Sequence, residues 1–139
     1  MKRLVMMAII VLAGLASHAQ TRTKEYNNGT KIEYKVKESG LKVVTMFFKA
    51  ELIEQQSDFI VLFGVDEMYK FIGATLDALD VKEFNKTILN KDNKHIATII
   101  RSKLDPNMTY IIGHRTGTGK FNEKDLVAIL TDIVDFAKK

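Results

Sequence analysis

A short apolar run that leads directly into an amphipathic helix places the strongest constraint on how this chain can fold. Residues Phe59–Val65 are apolar apart from one glycine, which indicates a buried strand. Asp66 follows and is predicted to cap a helix. Six residues at helical spacing then form a single stripe: Met68, Phe71, Ile72, Thr75, Leu76 and Leu79. The pattern predicts a strand-to-helix unit.

The same pattern returns near the end of the chain. Phe121 aligns with Phe63, and Asn122 is predicted to open a second helix, with Asp125 three residues later as in a capping box. The stripe of this helix contains Leu126, Ile129, Leu130, Ile133, Val134 and Ala137. Either the chain holds two related halves around a pseudo-twofold axis, or the two helices share this spacing because burial against a sheet demands it.

Strands are expected before the first unit. Thr30–Lys37 alternates between apolar and charged residues, which is typical of a half-buried strand in an antiparallel sheet. The β-rich run Leu41–Leu52 is apolar on both faces, because Val43 and Phe47 share one face while the other carries Val44, Met46 and Phe48. This strand is predicted to be covered on both sides or bent by a bulge, and Gln55–Asp58 is predicted to be the turn that follows it.

Between the two helices the pattern is less decisive. Val81–Asn90 can extend the first helix or start a strand, and a strand over Phe84–Leu89 is favoured because Asn90–Asn93 resembles a hairpin turn. His95–Arg101 is strongly β-like. Further on, Met108–Gly113 is predicted to be a strand and His114–Lys120 a polar loop.

These elements predict an α+β fold, mainly an antiparallel sheet packed by two amphipathic helices in the order βββα-ββ(β)-α. Residues 30–139 are expected to form a single domain, preceded by a flexible polar arm over residues 20–29.

The first nineteen residues are typical of a secretory signal peptide. Lys2 and Arg3 precede the apolar run Leu4–Ala16, and small residues at Ser17 and Ala19 predict cleavage after Ala19. A retained membrane anchor is the alternative, but a span needs roughly 20 apolar residues. With no cysteine in the chain, export fits a bacterial envelope, with the product periplasmic or secreted and without a stable membrane span.

Cleavage after Ala19 would also change the net charge of the chain. Loss of Lys2 and Arg3 leaves 19 basic residues against 17 acidic, so no nucleic-acid partner is expected.

A glycine-bearing loop is the most suggestive motif. Gly113–Lys120 follows a predicted strand and precedes a helix, as a phosphate-binding loop does, but five residues instead of four separate Gly113 from Gly119, and Phe121 stands where Ser or Thr is needed. A looser anion site remains open, with a set of candidate residues: His114, Arg115, Gly117, Gly119 and Lys120. The alternative is a plain connector.

Neither catalysis nor metal binding has a complete motif. His95 and His114 lack the spacing of a zinc site, and His114 as an acid or base has no identifiable nucleophile. No catalytic residue, metal or cofactor is predicted.

Aromatic residues offer a third option. Met46–Phe48 and Tyr69 could stack on single-stranded nucleic acid or glycan, although core packing is the more economical interpretation. If one face of the Leu41–Leu52 strand is uncovered, its apolar residues must meet a partner. We therefore expect an exported binding module that contacts a protein or assembles with itself through the sheet. An anion-binding protein or enzyme that uses the Gly113–Lys120 loop is the alternative.

Overall fold

The computed structural model describes residues 20–49 and 57–139. The predicted signal peptide, the end of the predicted strand Leu41–Leu52 and the residues Gln55 and Gln56 of the predicted turn lie outside this range. The first half has four strands and a helix: β1 (Gln20–Glu25), β2 (Lys31–Val36), β3 (Lys42–Lys49), β4 (Ser57–Phe63) and α1 (Gly64–Leu79). The second half has the same series: β5 (Phe84–Leu89), β6 (His95–Arg101), β7 (Met108–Ile112), β8 (Thr118–Asn122) and α2 (Glu123–Lys138).

The described strands form two antiparallel four-stranded sheets. Sequential neighbours pair in each, so β1–β4 make the first sheet and β5–β8 the second. The α+β prediction is confirmed, with antiparallel strands and two helices. The order is ββββα-ββββα, so the prediction missed one strand in each half and expected one sheet where the structure has two.

The first missed strand is β1. Residues 20–29 were expected to form a flexible arm, but Gln20–Glu25 pair with β2 at six positions. The run is polar because most of its side chains remain exposed at the sheet edge, so it carries no apolar alternation. Its inward-facing Lys24 reaches α2 and forms an ion pair with Asp132, 2.6 Å between Nζ and Oδ2.

The second missed strand is β8. Thr118–Asn122 includes the last three residues of the predicted loop His114–Lys120. It pairs with β7 from Met108↔Asn122 to Ile112↔Thr118. Only Phe121 in this strand is large and apolar, so the composition suggested a loop.

The predictions for the intervening hairpin are confirmed. Phe84–Leu89 is strand β5, and the turn to β6 lies at Asn90–Asn93. The side-chain oxygen of Asn90 accepts hydrogen bonds from the backbone N–H groups of Asp92 and Lys94, which holds the turn.

The two helices begin in different ways. Gly64, with a φ of 86°, turns β4 directly into α1, and Asp66 lies inside the first turn, so its predicted role as the cap is wrong. The carboxylate of Glu67 instead accepts from the backbone N–H of Phe63 at 2.9 Å. At α2 the prediction is confirmed, because Asn122 accepts from the backbone N–H of Asp125 at 2.8 Å.

Each helix packs its C-terminal half against the sheet of the other half. The Arg101 guanidinium on β6 donates to the carbonyls of Ala78 and Leu79, the last residues of α1, and to that of Pro106. On the other side Phe136 of α2 packs edge-on against the Tyr34 ring of β2, with 5.2 Å between centroids. Each helix thus contacts the sheets of both halves.

One apolar core joins the inner sheet faces and both helices. Its largest fully buried side chains come from both halves: Tyr34, Phe71, Phe121, Ile32, Met46, Ile60, Leu62, Met68, Ile99, Ile111, Leu126 and Ile129. The two halves therefore form one structural unit.

Candidate functional site

The predicted anion-binding residues do not converge on one point. His114 and Arg115 are exposed in the hairpin loop between β7 and β8, while Gly117 is buried at its end. Gly119 and Lys120 lie within β8, and the Lys120 ammonium pairs with the Asp105 carboxylate at 3.7 Å. The structure thus brings His114 and Arg115 together and directs Lys120 to a different partner.

The loop already surrounds an internal anion. The Asp58 side chain, 1% exposed, reaches across from β4 and accepts from the backbone N–H groups of Arg115 at 2.8 Å and Gly117 at 2.6 Å. It also accepts from the N–H of Phe59. Backbone donors in a tight turn favour an anion, and here the protein's own carboxylate supplies it. This arrangement argues against an external anion on those donors.

The loop glycines have a packing reason. The Phe48 ring of β3 lies directly against the backbone of Gly113 and Gly119, and a Cβ at either position would come within 3 Å of that ring. The ring also meets Phe121 edge-on, with centroids 5.9 Å apart. The glycines allow the first sheet to approach the second.

His114 and Arg115 instead flank an aromatic residue of β4. The imidazole of His114 stacks on the Phe59 ring at 5.1 Å, and the guanidinium of Arg115 lies 5.8 Å from the same ring. The backbone N–H of His114 donates to the carbonyl of Phe59 at 2.8 Å, which fixes the loop beside β4.

The outer side of β3 and β4 carries exposed aromatic residues. Cross-strand partners share a face, so the register brings six outward positions together, which we call the aromatic face: Val43, Thr45, Phe47, Phe59, Val61 and Phe63. Phe47 and Phe63 are 39% and 52% exposed, Thr45, Phe59 and Val61 are half-buried, and Val43 is buried. The rings of Phe47 and Phe59 lie 6.2 Å apart.

The sequence only partly revealed this face. The sequence places Val43 and Phe47 on one side of their strand and indicates that this side needs a partner if nothing covers it. Phe59 and Phe63 were taken as buried, because the run Phe59–Phe63 is apolar at every position and hides which residues point outward. Tyr69, the other aromatic residue considered for stacking, is also exposed, but it lies on α1 and not on the aromatic face.

A polar cluster joins the first sheet to α2. The Tyr26 hydroxyl donates to Asp132 at 2.6 Å and lies 2.7 Å from the Tyr34 hydroxyl. Burial raises the pKa of Tyr34 to about 12, and burial and the Asp132 hydrogen bond raise the pKa of Tyr26. Desolvation acts to raise the pKa of Asp132, but hydrogen bonds from Lys24 and Tyr26 outweigh it and lower that pKa. The cluster keeps both phenols protonated, which suits a structural connection.

His95 and His114 remain apart from metal-binding groups. His95 Nε2 lies 2.9 Å from the hydroxyl of Thr98, and His114 stacks on Phe59. Within residues 20–49 and 57–139 no group of three or more His, Asp or Glu side chains is placed to hold a metal ion. None of the helices described there is long and apolar enough to span a membrane.

Comparison of the chain with protein-family models, with curated proteins and with solved structures found no match.

Proposed function

We propose that this protein is a binding module and that the aromatic face is its binding surface. The observation that carries the proposal is the exposure of Phe47 and Phe63, 39% and 52% open to solvent, at the two ends of one face of the β3–β4 pair, with the half-buried Thr45, Phe59 and Val61 between them. Leu41, 40% exposed, precedes β3, and its side chain lies 3.5 Å from where a Cβ at Gly64 would stand, next to Phe63.

Burial of this surface against a partner would remove apolar area from water, which favours association by about 25 cal/mol for each Å² removed. Single exposed apolar residues are ordinary, but a contiguous set on a flat surface is typical of an interaction site. The pairing of β3 with β2 and β4 holds the rings in register before a partner arrives, so little ordering of the backbone opposes binding.

The site of action that we propose is a bacterial envelope, either the periplasm or the outside of the cell. The basic residues Lys2 and Arg3, the apolar run behind them and the small residue Ala19 support export. This point is tested by expressing the full chain in a bacterial host and measuring the intact mass of the exported product. The mass should be that of a protein that begins at Gln20.

Face-dependent capture from the native envelope tests the binding role. Tagged protein that begins at Gln20 keeps all the described strands and helices and serves as bait. The double variant Phe47→Ser/Phe63→Ser removes the exposed rings. Bound proteins, lipids and small molecules are quantified by mass spectrometry, and we expect at least one component to be retained by the unmodified protein and lost from this variant.

A matched control removes apolar area elsewhere. Leu76 and Leu104 are 49% and 96% exposed and lie outside the aromatic face, so the double variant Leu76→Ser/Leu104→Ser should retain the same component. Equal capture by all three proteins, each shown to be folded by circular dichroism, would reject the aromatic face as the binding surface.

A further inference from the structure

Positive charge collects around the aromatic face. With residues 1–19 removed the chain carries 19 basic and 17 acidic residues, so an even distribution would leave each surface close to neutral. Among the described residues, five cationic side chains lie on or beside the face: Lys31, Lys35, Lys37, Lys49 and Arg115. Three carboxylates lie on or beside the face as well: those of Glu25 and Glu33 on β1 and β2, and that of Glu67, which accepts from the backbone N–H of Phe63.

The cations border the rings and do not interrupt them. Lys31 is the cross-strand neighbour of Phe47, whose other neighbour is Phe59, and Arg115 lies beyond Phe59. At the other end, the Lys37 ammonium lies 5.8 Å from the Phe63 ring. One row of the sheet therefore runs from a cation across two aromatic rings to a second cation.

These charges are available to a partner. In the part of the chain that the structure describes, none of the five cations forms an ion pair with a carboxylate; the ion pairs there use Lys24, Lys103 and Lys120. A second copy of the same face would bring like charges together, which disfavours a face-to-face dimer. A partner that matches this surface therefore carries negative charge next to apolar groups.

The centre of the face favours a surface without directional hydrogen bonds. Thr45 is the single polar side chain among its six outward positions, so the centre offers one hydroxyl to a partner. Lipid bilayers need no directional contacts: exposed Phe side chains are buried at the boundary between headgroups and acyl chains, and Lys and Arg are attracted to anionic headgroups. We propose that the aromatic face docks on the surface of a membrane that contains anionic phospholipid. This inference rests on the proposed binding role and specifies its partner.

The absence of tryptophan from the chain gives a direct test. Phe63→Trp places one fluorescent indole at the most exposed ring of the face. This protein, beginning at Gln20, is mixed with vesicles of phosphatidylglycerol and phosphatidylcholine or of phosphatidylcholine alone. We expect sedimentation and a blue-shifted indole emission with the anionic vesicles, a much weaker effect with the neutral ones, and loss of binding as salt rises.

Charge variants show whether the proposed surface makes the contact. Lys31→Gln/Lys35→Gln/Arg115→Gln removes three cations from the face and should weaken vesicle binding on the order of 100-fold, from about tenfold or less for each charge near an anionic surface. The control Lys82→Gln/Lys86→Gln/Lys103→Gln makes the same change in net charge on residues of the second half and should bind nearly as well as the parent.

Three results would overturn the proposal: no sedimentation with anionic vesicles at low salt, sedimentation without a change in indole emission, or equal losses in the two charge variants. Face-dependent capture of a protein from the envelope together with any of these results would leave the binding role standing and reject the lipid partner. Equal capture by all the capture baits would reject the aromatic face as the binding surface, and this inference with it.

Discussion

The carboxylate of Asp58 accepts a hydrogen bond from the backbone N–H of Gly117 at 2.6 Å, across 59 residues of sequence. The same side chain binds the N–H of Arg115, so a residue at the start of β4 fixes the hairpin loop of the second sheet. A loop whose composition suggests a ligand site is thereby held by the protein itself.

Replacing Asp58 should therefore destabilise the fold. Asp58→Ala leaves the N–H groups of Arg115 and Gly117 without their buried acceptor, and we expect the free energy of unfolding to fall by about 3 kcal/mol. Urea denaturation measures this change. The exposed turn residue Asp92 gives a control, and Asp92→Ala should change the same quantity by less than about 0.5 kcal/mol. Equal effects of the two substitutions would contradict the assigned role.

The loop glycines lead to a second prediction. Gly119→Ala places a methyl group against the Phe48 ring, and overpacking of this kind should reduce stability by about 1–3 kcal/mol. Gly73 of α1 has open space around it, so Gly73→Ala should raise stability by about 0.5–1 kcal/mol through helix propensity.

Thermal unfolding compares the two glycine variants. Phe48→Leu places a smaller side chain against residue 119 and should partly restore the stability lost in Gly119→Ala. The effects of the two substitutions on the free energy of unfolding should therefore be non-additive in a double-mutant cycle. Additive losses would show that the two sites do not meet.

The helices and most strands could be predicted because their patterns are local. The stripe of α2 and the cap at Asn122 depend on nearby residues, so both predictions were correct. In contrast, β1 and β8 are strands because of their partners across the sheet, and their own residues carry little apolar alternation.

The candidate site shows the same limit. The spacing of Gly113–Lys120 suggested an anion site, but the occupant of its backbone donors, Asp58, is remote in sequence. Likewise, nothing in the apolar run of β4 distinguishes the buried Ile60 and Leu62 from the exposed Phe63. That distinction depends on which side of the sheet the helices cover.

Arg101 should be necessary for the end of α1. Arg101→Met removes the donors to the carbonyls of Ala78 and Leu79, and the cost should be about 2–3 kcal/mol. Arg101→Lys should recover only part of this loss, because one ammonium cannot reproduce the planar guanidinium fork. Hydrogen exchange should show faster exchange in the last turn of α1.

A nearby exposed cation provides the comparison for Arg101. Lys103 forms an ion pair with Glu83 in which both side chains are largely exposed, so Lys103→Met should cost less than about 1 kcal/mol. An Arg101→Met variant as stable as Lys103→Met would show that the carbonyls do not need the guanidinium.

The phenols should make stability fall at high pH. The pKa of Tyr34 is raised to about 12, so its contribution to stability is complete below the ordinary tyrosine pKa of about 10 and is lost as the pH rises toward 12. The free energy of unfolding of Tyr34→Phe should therefore fall less steeply than that of the parent protein between pH 10 and pH 12. At neutral pH the variant should be about 1 kcal/mol less stable than the parent.

Chemical denaturation across this pH range measures the slope. Tyr69, which is exposed on α1, provides the control Tyr69→Phe, whose slope should follow that of the parent protein. Identical slopes for Tyr34→Phe and the parent would contradict the link between the buried phenol and stability.

The contact of α2 with the first sheet has a consequence for biosynthesis. Since Phe136 closes the core over Tyr34, the first half of a nascent chain has no complete hydrophobic core until α2 has left the ribosome. A chain that is to cross a membrane through a secretion channel must remain unfolded until it arrives. In this topology the helix that completes the core is synthesised after all the described strands.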